Sequence, residues 1–280
     1  MKIRRVLVGI LVANLVVVGA KLVIGLGTGS LAVLGDVVHS SVDAMNNVLA
    51  LIVMAIASRG PDEDHPYGHQ KFETLGALAI VGFLSISGFE LVRGAVQRLM
   101  AGAPPLHVSG IQILVLSGTL VVNTVVATYE SRRGSQLNSE ILLADAAHTK
   151  ADIVISMGVL SGVLLAGSGA AWADPIVALA VAGVIVVLAY RIVARSIPVL
   201  VDQHVVPSEE IQSSAESVDG VKEAYGIRSR GSRELAFAEL TISVDRGASI
   251  ETAHKIADDV ESELRRQLSL HEIVVHIEPC

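Results

Sequence analysis

The chain has 280 residues, of which 51% are hydrophobic and 18% charged, and its net charge is −7. A mean hydropathy of +0.59 is too apolar for an ordinary soluble domain and points to membrane spans. The negative charge, the 3% aromatic content and the lack of a basic patch exclude nucleic acid as a partner. A single cysteine, Cys280, excludes an intramolecular disulfide. It is either a frayed terminal residue or an accessory metal or redox ligand.

The N-terminus, MKIRR, precedes an apolar run from Val6 to Gly27 broken only by Asn14 and Lys21. The run resembles the start of a signal peptide, but it has no convincing cleavage site and is long enough to span a bilayer. It is read as a retained first helix. Apolar stretches then recur at about 31–58, 74–100, 107–128, 140–167 and 173–195, which with 5–27 makes six predicted spans. The connections GTGS, AGAPPLH and GSGAAWAD contain no Lys or Arg, whereas Arg59–Phe72 and Glu130–Ser139 do. Lys2, Arg4 and Arg5 precede the first span, and Arg191 and Arg195 end the last. The positive-inside rule therefore predicts a multi-pass protein of the inner (plasma) membrane with both termini cytoplasmic. Arg93 and Arg98 oppose this and are expected to snorkel to the outer headgroups.

Residues 1–203 thus form an all-α transmembrane domain of six helices, and 204–280 a separate cytoplasmic α+β domain. In the second, Ser208–Val218 reads as a short helix and Val221–Arg230 and Leu235–Val244 as strands paired through Gly231-Ser232. Ser249–Leu268 reads as a helix with an apolar stripe at Ile256, Val260 and Leu264, and Glu272–Ile277 as a last strand. The order αββαβ predicts helices on one face of a sheet.

The strongest chemical signal is a repeat. The second span contains Asp36-Val-Val-His39-Ser-Ser-Val-Asp43, and the fifth contains Asp145-Ala-Ala-His148-Thr-Lys-Ala-Asp152. Both read D-x-x-H-x-x-x-D, and offsets of 0, 3 and 7 fall on one helix face. A charge near the centre of a span costs about 3 kcal/mol, so four unpaired acids would cost on the order of 10 kcal/mol. Two such helices facing each other around a cation remove that cost. His39, Asp43, His148 and Asp152 supply four N/O ligands whose charges sum to −2, which suits one Zn²⁺-like ion. Asp36 and Asp145 either orient the histidines or face water near a helix end, and Lys150 can pair with either acid. Because His binds metal as the neutral imidazole, metal competes with protons here, which makes metal–proton exchange a natural mechanism.

Two further groups are candidate metal ligands. Asp62, His65 and His69 lie in the loop Pro61–Glu73, which is either a second metal site or a solvated acidic loop. Glu239, His254, His276 and Glu278 in the tail either bind metal and close a dimer interface or are scattered surface groups; residues 276 and 278 share a strand face. His271-Glu272-Ile-Val-Val-His276 mimics a zincin motif, but its histidines are five apart on a strand. Gly25-Leu-Gly27-Thr-Gly29 lacks the strand that a nucleotide fingerprint needs.

The six spans, the paired H-x-x-x-D motifs, the D-x-x-H-P-Y-G-H-x-K-x-E loop and the αββαβ tail together resemble the cation diffusion facilitator family over almost the whole chain. The resemblance implies a homodimer that exchanges cytoplasmic metal for external protons by alternating access. It implies no enzymatic activity and no organic cofactor, with a ferredoxin-like cytosolic domain. It places the transported ion at His39, Asp43, His148 and Asp152. The two-His, two-Asp set leans toward Zn²⁺, with Cd²⁺, Co²⁺ or Fe²⁺ as possible passengers. It implies that Zn²⁺ is also a regulatory ion, bound at Asp62, His65 and His69 and at the tail. It further implies an interprotomer salt bridge between Lys71 and Asp202. In the tail this chain departs from the zinc members, having Tyr225 and Glu239 at positions where they carry histidine.

Two other classes remain open on sequence alone. A non-transporting membrane metal sensor or scaffold has no need of ligands at membrane depth. An intramembrane metallohydrolase needs a general base beside an open metal position, which four ligands leave without an obvious place.

Overall fold

A computed structural model describes residues 2–28, 31–101, 110–167, 173–232 and 235–280. The chain divides into two compact units, residues 1–196 and 197–280.

Six long helices come first: α1 (Lys2–Thr28), α2 (Leu31–Ala57), α3 (Lys71–Ala101), α4 (Gly110–Gln136), α5 (Glu140–Gly167) and α6 (Ala173–Leu200). At 1.5 Å per residue each can cross a bilayer. Among the described residues, α1, α2, α3, α4 and α6 are also apolar enough to do so. α5 carries Glu140, Asp145, Lys150 and Asp152 in its first half and an apolar second half. The unit is inside-out relative to a soluble bundle: Val16 and Val23 are 65% and 72% exposed, while Lys21, Asn46, Asn47 and Asp145 are 2–3% exposed. That distribution is the one a lipid solvent selects.

The helices approach closely where side chains vanish. A Cβ on Gly76 of α3 would lie 2.6 Å from Val53 of α2 and 3.1 Å from Ile141 of α5. Glycine there lets α3 lie against both ligand-bearing helices, as small residues do in membrane bundles. Leu7, Ala50, Ala77, Ile80, Ile141 and Leu142 fill the resulting core.

The expectation of a loop from Glu130 to Ser139 fails. α4 runs on to Gln136 and carries Glu130 inside it, fully buried. Polar residues signalled the end of an apolar stretch, but Glu, Arg and Gln are good helix formers. The stop comes at Asn138, which has φ 45, while the Ser139 amide donates to the Gly134 carbonyl; this is a Schellman closure with Asn in the left-handed position. Ser139 then begins α5. Its hydroxyl donates to Glu73 of α3 (2.5 Å) and accepts from the Leu142 amide (3.4 Å). Glu73 also accepts from the Ile141 amide (3.4 Å), so an acidic side chain sits at the positive end of α5.

The second unit contains α7 (Ser208–Glu216), β1 (Glu223–Gly231), β2 (Ala236–Val244), α8 (Ile250–Leu268) and β3 (Glu272–Pro279). The sheet order is β1-β2-β3; β1 and β2 are antiparallel, β2 and β3 parallel. Ser249 caps α8 by accepting from the Thr252 amide. Ala257, Val260 and Leu264 of α8 are buried with Ile211 and Ala215 of α7 against Ala238, Leu240 and Ile242 of β2. Helices cover one sheet face, as predicted, and leave the other polar. Between Tyr225 and Arg228 the register of β1 shifts by one residue. Gly226 takes φ 64 there, as at a bulge that needs a left-handed residue.

Candidate metal-transport site

α2 and α5 bring three of the four predicted transport ligands together. The Nε2 atom of His148 lies 3.3 Å from Asp43 Oδ1 and 3.8 Å from Asp152 Oδ2. One ligand atom from each of the three falls within 4.8 Å of the others. His148 and Asp152 are 6% and 9% exposed. His39 lies one turn before Asp43 on α2, on the same face by helical periodicity; its side chain and that of Asp36 lie outside the described residues.

Amides hold this pair of helices in register. Asn14 of α1 donates to Asn47 Oδ1 (2.7 Å), and Asn47 donates to Asp145 Oδ2 (2.8 Å). Of the two roles open to Asp145, facing water is ruled out, since it is 2% exposed. Thr149 donates to Glu130 Oε2 (3.1 Å), tying α5 to α4. Asn46 Nδ2 stands 3.2 Å from His148 Nε2. Lys150, by contrast, is exposed.

A cavity of ≈ 210 Å³ opens beside the ligands, lined among others by Asn14, Lys21, Ser40, Asp43 and Asp152. Pockets for organic ligands run to about 300–1,000 Å³, so this one suits an ion and its water. Lys21 is 3% exposed and donates to Ser40 Oγ (2.7 Å). It places an amino group in the cavity beside the two carboxylates. In the sequence Lys21 signalled only a break in an apolar run, and Asn14, Asn46 and Asn47 carried no periodic or spacing signal.

The loop group also assembles. His65 Nδ1 lies 3.3 Å from Asp62 Oδ1, and His69 Nε2 lies 3.3 Å from Asp62 Oδ2. Gly68 donates its amide to the His65 carbonyl and has φ 81. Pro66 thus sits at the second position of a turn that favours Pro there and Gly at its end. His69 is buried at 5%, with Nδ1 3.1 Å from the Gly60 carbonyl. A carbonyl only accepts, so Nδ1 carries the hydrogen; in the neutral ring Nε2 then turns a lone pair toward the carboxylate, as in metal sites whose histidine is oriented by a backbone oxygen. The 3.3 Å separation of Nε2 and the carboxylate fits either a proton shared between them or a cation held by both. The His65 backbone amide, 2.7 Å from Asp62, holds that carboxyl below its usual range. Its ionised form is therefore lost only when pH falls through the lowered value. If the loop group binds a metal, Asp62→Asn is expected to remove it and leave the cluster between α2 and α5 unaffected, read as a loss of one bound metal per chain by equilibrium dialysis.

The tail residues do not share one coordination sphere among the described residues. Glu239 pairs with Arg230 (3.8 Å), His254 with Asp258 (3.9 Å), and His276 with Glu278 (3.5 Å). Tyr225 donates to Glu278 Oε2 (2.6 Å), and that bond holds its phenol above the ordinary range. The register places Thr241 between Tyr225 and His276, whereas Glu239 pairs with Arg228 and Val274, about 7 Å further along the strand. Asp202 has φ 54 just after α6.

An inside-out helical unit with carboxylates and imidazole converging from two helices, followed by a separate α/β unit, defines a multi-pass membrane protein that handles metal ions. Residues 7–201 match the cation efflux transmembrane domain, and residues 206–280 match the cation efflux protein cytoplasmic domain. The chain belongs to the cation diffusion facilitator family of cation efflux transporters and is not an enzyme. It is 30% identical to the manganese efflux system protein MneP of Bacillus subtilis over 99% of this chain and 96% of that one. It is 29% identical to the cation-efflux pump FieF of Pectobacterium atrosepticum over 90% of this chain and 84% of that one. It is 30% identical to metal tolerance protein C1 of Arabidopsis thaliana over 93% of this chain and 59% of that one. A solved MamM CTD structure shares 27% identity over 26% of this chain and 91% of its own, with a TM-score of 0.25.

Proposed function

We propose that this transporter moves Zn²⁺ and similar divalent ions out of the cytoplasm in exchange for protons, using His39, Asp43, His148 and Asp152. The observation that carries the reading is the convergence of Asp43, His148 and Asp152 inside the helical unit. Filled by M²⁺ or by protons, the two carboxylates are neutral as a set. Emptied of both, each leaves a charge that costs about 2.5–3.5 kcal/mol near the centre of a span. Alternation between metal and protons therefore avoids a charged return step. Two imidazoles favour Zn²⁺. Mn²⁺ is a second reading, favoured by the oxygen donors of Asp43 and Asp152 and by the likeness to a protein named for manganese efflux.

In this reading residues 1–203 transport and residues 204–280 dimerise in the cytoplasm. Both termini are cytoplasmic at the inner (plasma) membrane. Lys71 and Asp202 bridge protomers, and metal at Asp62, His65 and His69 stabilises the cytoplasmic loop. The tail group of His254, His276 and Glu278 gains a metal only if the dimer supplies the missing ligands.

Proteoliposomes with an acidic lumen test the proposal. Inward metal flux should rise as the outward proton gradient steepens, with Zn²⁺ ahead of Mn²⁺, Cd²⁺ and Fe²⁺. Flux that ignores the gradient removes the exchange mechanism. No flux of any metal, with binding retained in the tail, favours a sensor instead.

A further inference from the structure

We infer that Asn46 is a further metal ligand of the transport site, donating its side-chain oxygen and setting which ions the site accepts; this rests on the transport-site reading above. Asn46 stands three residues after Asp43 on α2, hence on the same face, and is 3% exposed. Its amide lies 3.2 Å from His148 Nε2, while Asp43 lies 3.3 Å from that same atom. Donors about 2.1 Å from one ion, at angles near 90–110°, are about 3.0–3.5 Å apart. Asn46 therefore occupies a coordination position as well as Asp43 does.

The neighbouring Asn47 is engaged elsewhere, by Asn14 on one side and Asp145 on the other. The side chain of Asn46 instead meets Nε2 of His148, the ring nitrogen that faces Asp43. A carboxamide has a donor end and an acceptor end that exchange by rotation about one bond. Without metal, its N–H faces the ring nitrogen. When an ion takes the Nε2 lone pair, that N–H loses its acceptor, and rotation brings Oδ1 to the ion. The amide thus serves the empty site with one end and the filled site with the other.

Its consequence is coordination number. With His39 from the same face of α2, the donors become five rather than four. Zn²⁺ is satisfied by four N/S/O ligands, whereas harder ions such as Mn²⁺ seek five or six, mostly oxygen. A neutral oxygen adds a ligand without adding charge, so the site admits the harder ions without acquiring a third carboxylate.

The test uses the full-length protein in detergent, loaded with Co²⁺, with Asp43→Ala supplying the spectrum of the remaining sites for subtraction. The wild-type site should give the weak visible bands of five-coordinate Co²⁺. Asn46→Ala should give the severalfold stronger bands of a tetrahedral ion. In proteoliposomes its ratio of Mn²⁺ to Zn²⁺ flux should fall by at least the ~10–100-fold that loss of an outer-shell partner costs in metal affinity. Asn46→Asp, which keeps an oxygen donor, should retain the five-coordinate spectrum and Mn²⁺ flux, and this guards against misfolding of the alanine variant. An unchanged Asn46→Ala spectrum, with both fluxes altered together or not at all, overturns the ligand role and leaves Asn46 only orienting His148. If Asp43→Ala itself leaves the Co²⁺ spectrum unchanged, no ion sits between α2 and α5, and the transport-site reading falls along with this one.

Discussion

Asp152→Ala is expected to bring metal flux to background while metal remains bound at Asp62, His65 and His69. Asp152 supplies one of the two described carboxylates of the transport site and is 9% exposed. Removing one member of a buried charged set costs about 3–5 kcal/mol, because the rest is left uncompensated. At 1.4 kcal/mol per decade, that is on the order of 10²–10⁴-fold in affinity. The cavity beside Asp152 is lined by Lys21 as well, so losing the acid also leaves the cavity with one carboxylate fewer facing that amino group. Two readouts are needed. Flux is measured in proteoliposomes, and bound metal per chain by equilibrium dialysis, where the stoichiometry should fall by one and not to zero. Flux within a few-fold of wild type would move the transport path away from this cluster.

How much of this was visible beforehand depends on whether the signal was periodic. The duplicated D-x-x-H-x-x-x-D placed Asp43, His148 and Asp152 on two helix faces because three offsets on a 3.6-residue repeat leave little freedom. The Asp62, His65 and His69 group was legible only as ligand types close in sequence, and the His65–Gly68 turn that precedes the return of His69 toward Asp62 was not read beforehand. Groups that act by pairing across helices left no such trace. Asn14, Asn47 and Asp145 belong to three helices, and nothing in their spacing announces a chain of amides. Glu130 was assigned to a loop because composition reports where lipid ends rather than where hydrogen-bonded turns end; the stop lies at Asn138, eight residues on. In the cytoplasmic unit the strands were legible from alternation, but their register was not. One extra residue at Gly226 shifts every later partner on β1, so that Arg228 rather than Ile227 faces Glu239.

The amide chain should carry the largest stability effect of any single polar residue outside the ligands. Asn47→Leu fits an apolar helix and keeps roughly the same side-chain size, yet it removes the acceptor for Asn14 and a donor to Asp145. Hydrogen bonds between membrane helices average about 0.6 kcal/mol and reach about 1.7. Leaving a buried partner unsatisfied costs about 1–3 kcal/mol in proteins generally. Both lost bonds end on buried or half-buried groups, so the upper part of the membrane range applies, about 3 kcal/mol in total. With about 2–4 °C per kcal/mol for a unit of this size, the melting temperature in detergent should fall by about 6–12 °C. A double-mutant cycle identifies the cause. Once Asn47 is leucine, Asn14→Leu should cost much less than it does in the wild type, because its partner has already gone. Additive costs would mean that the two amides do not act as a unit. Flux should fall in Asn47→Leu as well, because Asn47 and Asp145 set α2 against α5, and that registration holds Asp43 3.3 Å from His148. A variant that melts early but transports normally would separate the stability of the helix pair from the geometry of its metal site.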